Sequence, residues 1–102
     1  ANLTGAELYD AILADATLYD ADLTDVELIY ADLTGANLGR ANLTGANLYD
    51  ADLTHADLSH ADLTFANFED ATVTDTDFTD TYWHQTIWTD GNRYDSNPTG
   101  SN

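Results

Sequence analysis

The sequence predicts an all-β fold, a four-sided solenoid with a solid apolar centre, and three observations predict it. The chain of 102 residues repeats a five-residue unit eighteen times, from Ala1 to Asp90, without a slip. All thirteen leucines occupy the third position of that unit, from Leu3 to Leu63, and Phe68, Val73, Phe78, Trp83 and Trp88 continue the column. The first position is Ala in fourteen of the first fifteen units, with Val26 the exception, and Thr76, Thr81 and Thr86 follow; every acid in the repeats falls on the other three positions.

A period of five excludes the commoner architectures. On an α-helix, five residues advance about 140° around the axis, so the leucines would scatter over every face. In a straight strand, side chains alternate with a period of 2, so successive leucines would point to opposite faces. A chain that turns a corner once per unit keeps them together. Within each short extended piece the first and third residues then point inward and the second outward. Four corners close a square, and the backbone N–H and C=O groups of its flat sides find partners only in the coils above and below. At the usual strand spacing, about four and a half coils make a rod about 22 Å long.

The unit reads A(D/N)LXX almost verbatim from Ala1 to Asp75, and this resembles the pentapeptide-repeat family over about nine tenths of the chain. The resemblance implies a right-handed quadrilateral β-helix over residues 1–90, with four units per coil. Near its end, Thr86-Ile87-Trp88-Thr89-Asp90-Gly91 is similar to a W-P-D-G segment that closes some cyanobacterial members, with Thr89 in place of the Pro. A bacterial, cyanobacterial source is therefore expected. Trp83 and Trp88 make a larger aromatic plug at this end, where an uncovered coil would expose its core and its unpaired edge. Residues 91–102, rich in Asn, Ser, Thr and Gly, are expected as a flexible polar tail.

Nineteen acidic residues against two basic ones give a net charge of −17. Such a field repels nucleic acid and anionic membrane, so no direct nucleic-acid binding is expected and the preferred partner is a basic protein surface. No stretch approaches the roughly 18 to 20 apolar residues of a transmembrane helix, so no membrane insertion is expected either. With no Cys in the chain, disulfides and thiolate chemistry are out of reach, which leaves the redox compartment open. The chain has no Met and its repeat is already under way at Ala1, so a chain processed or cut from something longer is expected. A signal peptide ahead of Ala1 would place the protein in the periplasm or a thylakoid lumen; otherwise it is cytoplasmic. The uncapped N-terminal coil is a candidate surface for self-association.

Stacking turns sequence spacing into neighbours, because residues four units apart share a column. Side one follows Leu3, side two Leu8, side three Leu13 and side four Leu18. Side one carries a ladder of Thr4, Thr24, Thr44 and Thr64, read as structural because β-branched residues suit an exposed sheet. On side two the outward column runs Tyr9, Ile29, Tyr49, Glu69, Thr89, and Tyr30 stands between Asp10 and Asp50 in the next column. Side two also holds seven of the eighteen repeat-borne acids, against three on side one and four on each of the others. Tyr among carboxylates resembles an interaction surface, and Glu7, Tyr9, Glu27, Ile29, Tyr30, Tyr49 and Asp50 are the candidate partner-binding residues. The plain alternative is that Tyr and Ile simply stack well on a sheet.

No catalytic, cofactor or metal site is expected. A hydrolase needs a nucleophile, a base and an orienting group in a pocket, whereas a rod filled by Leu and Ala leaves no pocket. Ser59 and His60 are neighbours at outward positions, and His55 and His60 fall on adjacent sides, with His60 stacking below Arg40. Asn2-Leu3-Thr4 and Asn42-Leu43-Thr44 match the glycosylation triplet, but the repeat generates that string by itself. The expected function is a non-catalytic binding or scaffold module presenting an acidic, Tyr-decorated rod to a protein. The alternative is regulation of a type II topoisomerase such as gyrase by DNA mimicry, as in one branch of the family. Duplex DNA carries about 13 charges over about 22 Å, comparable with the net charge here.

Overall fold

A computed structural model describes residues 2–99. Parallel bridges join each second-position residue to its counterpart one coil on, from Asn2–Asp22 through Asp32–Asp52 to Asn67–Ile87. The coil repeat is therefore four units, as the resemblance implies. The described Cα atoms extend over 27 × 21 × 20 Å, and no helix forms among them.

The repeat can be understood by asking where each of its five amide protons goes. The third-position N–H donates to a second-position carbonyl of the next coil, as from Leu43 to Asp62 at 2.8 Å. The fifth-position N–H donates to a fourth-position carbonyl of the next coil, from Gly45 to Thr64 at 2.9 Å, while the second-position N–H reaches back, from Asn42 to Ala21 at 2.9 Å. The first-position N–H closes the corner turn, from Ala46 to Leu43 at 2.9 Å. This leaves the fourth. Its acceptor is the side chain two residues earlier: Thr24 N–H donates to Asp22 Oδ1 at 3.2 Å, Thr44 to Asn42 at 3.1 Å and Tyr49 to Asn47 at 3.1 Å. Asp and Asn share this short-range geometry, which is why the second position is D or N.

The fourth and fifth residues form the corner, and the fifth has positive φ from Gly5 to Gln85, 57° at Asp10, 62° at Tyr30 and 71° at Gly45, whereas after the last unit the positive φ moves to Gly91 at 82°. A four-residue turn with positive φ at its third residue favours Gly, Asn and Asp there, and the many fifth-position Asp and Gly residues follow. At Gly35 and Gly45 an added Cβ would also collide with the carboxylates of Asp15 and Asp25, which lie over them. The corner placement corrects the reading of the Thr ladder. Thr24 and Thr64 stand on turns, and their hydroxyls donate to Asp22 at 2.7 Å and Asp62 at 2.6 Å, so local hydrogen bonding explains them better than sheet packing does.

Inside, Leu23 through Leu63 and Phe68 have no exposed surface, and the Ala column from Ala21 to Ala66 is buried beside them. Toward the C-terminus the plug forms as expected: Phe68, Phe78, Trp83 and Trp88 contact one another with ring centroids 5.1 to 6.5 Å apart. Thr replaces Ala at the first position here because its hydroxyl gains an acceptor. Thr76 donates to Leu53 O at 2.7 Å, and the fully buried Thr86 donates to Leu63 O at 2.6 Å.

The segment after Asp90 is not the free tail expected. Strand β1 (Thr86–Ile87) pairs antiparallel with β2 (Arg93–Tyr94). Asp95 accepts from Gln85 N–H at 2.8 Å, Arg93 donates to Gln85 O at 2.9 Å and Asn97 Nδ2 donates to Phe78 O at 3.1 Å. The last coil offers amides, carbonyls and indole faces with no further coil to cover them. A polar segment rich in Asn and Asp suits that edge. The three residues 100–102 lie outside the described part of the chain.

Candidate protein-binding ridge

Since the fourth and fifth positions are corner residues, the expected side-two surface is a ridge on the edge between sides two and three. The ladder bonds order it: Asp10 N–H donates to Ile29 O at 3.0 Å, Tyr30 to Tyr49 O at 3.0 Å, Asp50 to Glu69 O at 3.0 Å and Asp70 to Thr89 O at 3.3 Å. One line along the edge therefore reads Asp10, Tyr30, Asp50, Asp70, and beside it runs Tyr9, Ile29, Tyr49, Glu69. The backbone beneath is tied to neighbouring coils, so the side chains stand on a stiff base.

Two contacts join the expected residues. The Tyr9 hydroxyl donates to Glu27 Oε1 at 3.2 Å, and the Tyr30 and Tyr49 rings meet edge to face with centroids 6.1 Å apart. Tyr9 and Tyr30 are about half exposed, at 49% and 54%, while Ile29 and Tyr49 are half-buried. Glu7 and Asp50 are exposed and bracket the row. The Glu27 carboxylate raises the Tyr9 pKa above its ordinary value, with burial and Glu7 adding to the shift. That of Tyr49 is also raised, chiefly by Asp70, then Tyr30, burial, Asp50 and Glu69.

The ridge differs from the other edges in what its carboxylates do. On side one, Asp22 and Asp62 accept from Thr; on side three Asp32 and Asp52 do the same, and on side four Asp57 and Asp77 accept backbone N–H groups. His55 faces Asp75 at 3.7 Å and His60 faces Asp80 at 3.9 Å. Among the described residues, eight repeat-borne acids have neither a side-chain hydrogen bond nor an ion pair, and five of these, Glu7, Asp10, Asp50, Glu69 and Asp70, belong to side two. Glu27 and Asp90 are the engaged ones there, and the Tyr94 hydroxyl at 2.6 Å, with the Asn92 N–H, lowers the Asp90 pKa.

Four residues near the ridge lie beyond what the sequence pattern singles out as the site. The register places Glu69 after Tyr49 in the outward column and Asp70 after Asp50 in the corner column, yet the candidate partner-binding residues stop at Asp50. Ile12, which breaks the D/N rule of the second position, is 84% exposed just past the Asp10 corner. Phe65 stands 52% exposed on the opposite corner of side two, edge to face with His84 at 5.4 Å. The last two share a sequence signal, a large apolar residue where the column is otherwise small or polar. Among the described residues no cavity opens, no group of three His, Asp or Glu side chains converges on a metal position, and no helix is long and apolar enough to cross a membrane.

Comparison with known proteins places this geometry in context. The family described as pentapeptide repeats, in eight copies, matches residues 1–40 and 41–80. A solved structure of the pentapeptide repeat protein Rfr23 from the cyanobacterium Cyanothece 51142 is 36% identical and superposes with a TM-score of 0.85 over 86% of this chain. HetL, a pentapeptide repeat protein involved in heterocyst differentiation regulation in the cyanobacterium Nostoc sp. strain PCC 7120, is 30% identical over 92% of the chain, with a TM-score of 0.50. The chain spans 60% of the Rfr23 chain and 52% of the HetL chain. No curated protein sequence matches it. The unbroken five-residue register, the four-unit coil and the match over residues 1–80 together make the chain a member of the pentapeptide-repeat family, whose fold is the right-handed quadrilateral β-helix.

Proposed function

We propose that this chain is a non-catalytic interaction module that docks a basic protein along the ridge of Glu7, Tyr9, Glu27, Ile29, Tyr30, Tyr49 and Asp50. The observation that carries this reading is the concentration of uncommitted carboxylates around half-exposed tyrosines on one edge of a rigid rod. Carboxylates already bonded within a fold have little left to offer a partner, while free ones steer it. Tyrosines fixed on a stiff base lose little entropy when covered, which suits them to anchor an interface. That HetL is a cyanobacterial relative involved in regulation is in keeping with an adaptor role. No feature of the ridge favours the topoisomerase reading over this one.

The test is capture of partners from cells of the source organism by the wild-type chain and by a variant combining Tyr9→Ala, Ile29→Ala and Tyr49→Ala, each first shown to be folded by circular dichroism. A partner held by the wild type and released by the variant supports the reading. With that partner in hand, Tyr49→Ala is expected to raise the dissociation rate by about tenfold or more. Glu7→Gln, which removes an uncommitted charge, should chiefly slow association at low salt, and Thr44→Ala on side one should do neither. Binding that survives the combined variant would show that the tyrosines only stack on the rod.

A further inference from the structure

Resting on that reading, we infer that the part of the ridge formed by Tyr30, Tyr49, Asp50, Glu69 and Asp70 recognises arginine, rather than positive charge in general, in the segment it binds. The chemistry has three parts. Tyr30 and Tyr49 meet at an interplanar angle of 74°, so the pair forms a corner instead of a closed stack, and Tyr30 remains 54% exposed. Next along the same edge stand Asp50 and then Asp70, one strand spacing or about 4.8 Å apart, with Glu69 alongside. None of these three carboxylates is committed within the chain among the described residues.

A planar guanidinium answers both features at once. It lies over an aromatic face through its π system while its N–H fork reaches a carboxylate in two parallel hydrogen bonds. An ammonium is a compact, strongly hydrated point charge that can pair with the carboxylates but gains less from the ring. Charge complementarity therefore commits the occupant to a cationic protein segment, and the aromatic corner beside the carboxylates selects arginine within that class. Elsewhere on the rod the combination does not recur. Tyr19 stands beside Asp20 but lies against the Gly39 position with no second ring meeting it among the described residues, and the cationic Arg40 follows Asp20 in that corner column.

The experiment titrates the isotope-labelled full chain with two short blocked peptides of equal charge, a glycine–arginine repeat and a glycine–lysine repeat, and follows backbone and tyrosine ring resonances by NMR. The arginine peptide is expected to shift the Tyr30 and Tyr49 rings with the amides of Asp50 and Asp70, and to bind there about two- to fivefold more tightly than the lysine peptide. Tyr30→Asn should abolish that preference while preserving the fold, since Asn tolerates the positive φ of this corner. Equal binding of the two peptides at the ridge would overturn the arginine inference and leave the docking surface standing. Shifts spread evenly over all four sides, or no binding, would overturn both.

Discussion

The middle coils and the C-terminal end solve the same problem by opposite means. Between Ala21 and Phe68 one arrangement recurs: Ala and Leu inside, Asp or Asn holding the fourth amide, and each coil paired above and below. Apart from Val26 and Glu27, the units there follow one pattern inside and at the second position, and each works because its neighbours are alike. From Thr76 onward the contacts are individual. Thr hydroxyls bond Leu53 and Leu63 carbonyls, Trp83 Nε1 donates to Thr81 at 2.6 Å, and Asn97 reaches Phe78. The difference teaches that an edge, having lost one neighbouring coil, must be covered by specific side chains instead of by repetition. In a nearest-neighbour stack, damage in the middle separates two halves and damage at the end frays one coil.

The strongest way to break this comparison is Leu43→Asp. It places an unpaired charge in a site with no exposure, at a cost of about 4 kcal/mol or more, which is a large share of the stability of a domain this size. Circular dichroism should show loss of the whole β signal; a melting temperature unchanged from wild type would refute the register. Trp83→Ala comes next, at about 3 kcal/mol, because Trp83 contacts Phe68, Phe78 and Trp88. Its effect should be local. Hydrogen exchange is expected to speed up for amides after Thr76 while those of Leu33 to Leu53 keep their protection.

Thr86→Val sharpens the same contrast with a smaller change. It keeps the shape but removes the donor to Leu63 O and the acceptor at 3.3 Å from His84 N–H, with about 1 to 2 kcal/mol expected in thermal melts. A result near zero would mean that Thr at the first position is only a tolerated replacement for Ala.

What the sequence made legible follows from periodicity, and what it hid follows from chemistry within the unit. The Leu column from Leu3 to Leu63 sufficed to show a chain that turns a corner once per unit, because neither a helix nor a straight strand keeps a period of five on one side, and the family resemblance supplied the four units per coil. It also brought Tyr9, Ile29 and Tyr49 into one column, and Tyr30 next to Tyr49. It did not reveal that Asp22 or Asn47 holds the fourth amide, since an outward polar residue looks the same whether it faces water or its own backbone. Which carboxylates are free was hidden for the same reason, so the register that lines up Glu69 with Tyr49 and Asp70 with Asp50 did not by itself mark them as part of the site. The cover made by Arg93, Tyr94 and Asn97 escaped because polar composition reads as flexibility wherever the unsatisfied edge it meets is out of sight.

The finest test of the middle coils compares two substitutions at one carboxylate. Treated as surface charges, Asp22→Asn and Asp62→Asn should be silent or slightly stabilising, since each relieves repulsion on an acidic rod. The structure adds a second requirement, an acceptor for the fourth amide, and Asn42 shows that an amide oxygen meets it, at 3.1 Å from Thr44 N–H. Asp22→Asn should therefore change the melting temperature at neutral pH by less than Thr86→Val does, whereas Asp22→Ala, which leaves the Thr24 amide without its acceptor, should be the more destabilising of the two. The hydroxyl and then the amide of Thr24 lower the Asp22 pKa from its ordinary 3.8. A depressed folded-state pKa gives stability that is present above the unfolded value and lost as pH falls through the folded one. Any advantage of Asp over Asn at this position should then be constant near pH 7, begin to fall below about pH 4 and vanish below the depressed folded-state pKa, while the penalty for Ala should persist, because the orphaned amide does not titrate. If Asn and Ala proved equally costly at neutral pH, the corner would be using the charge of Asp22 rather than its oxygen, and the need for an acceptor at the fourth amide would no longer explain why Asp and Asn share the second position.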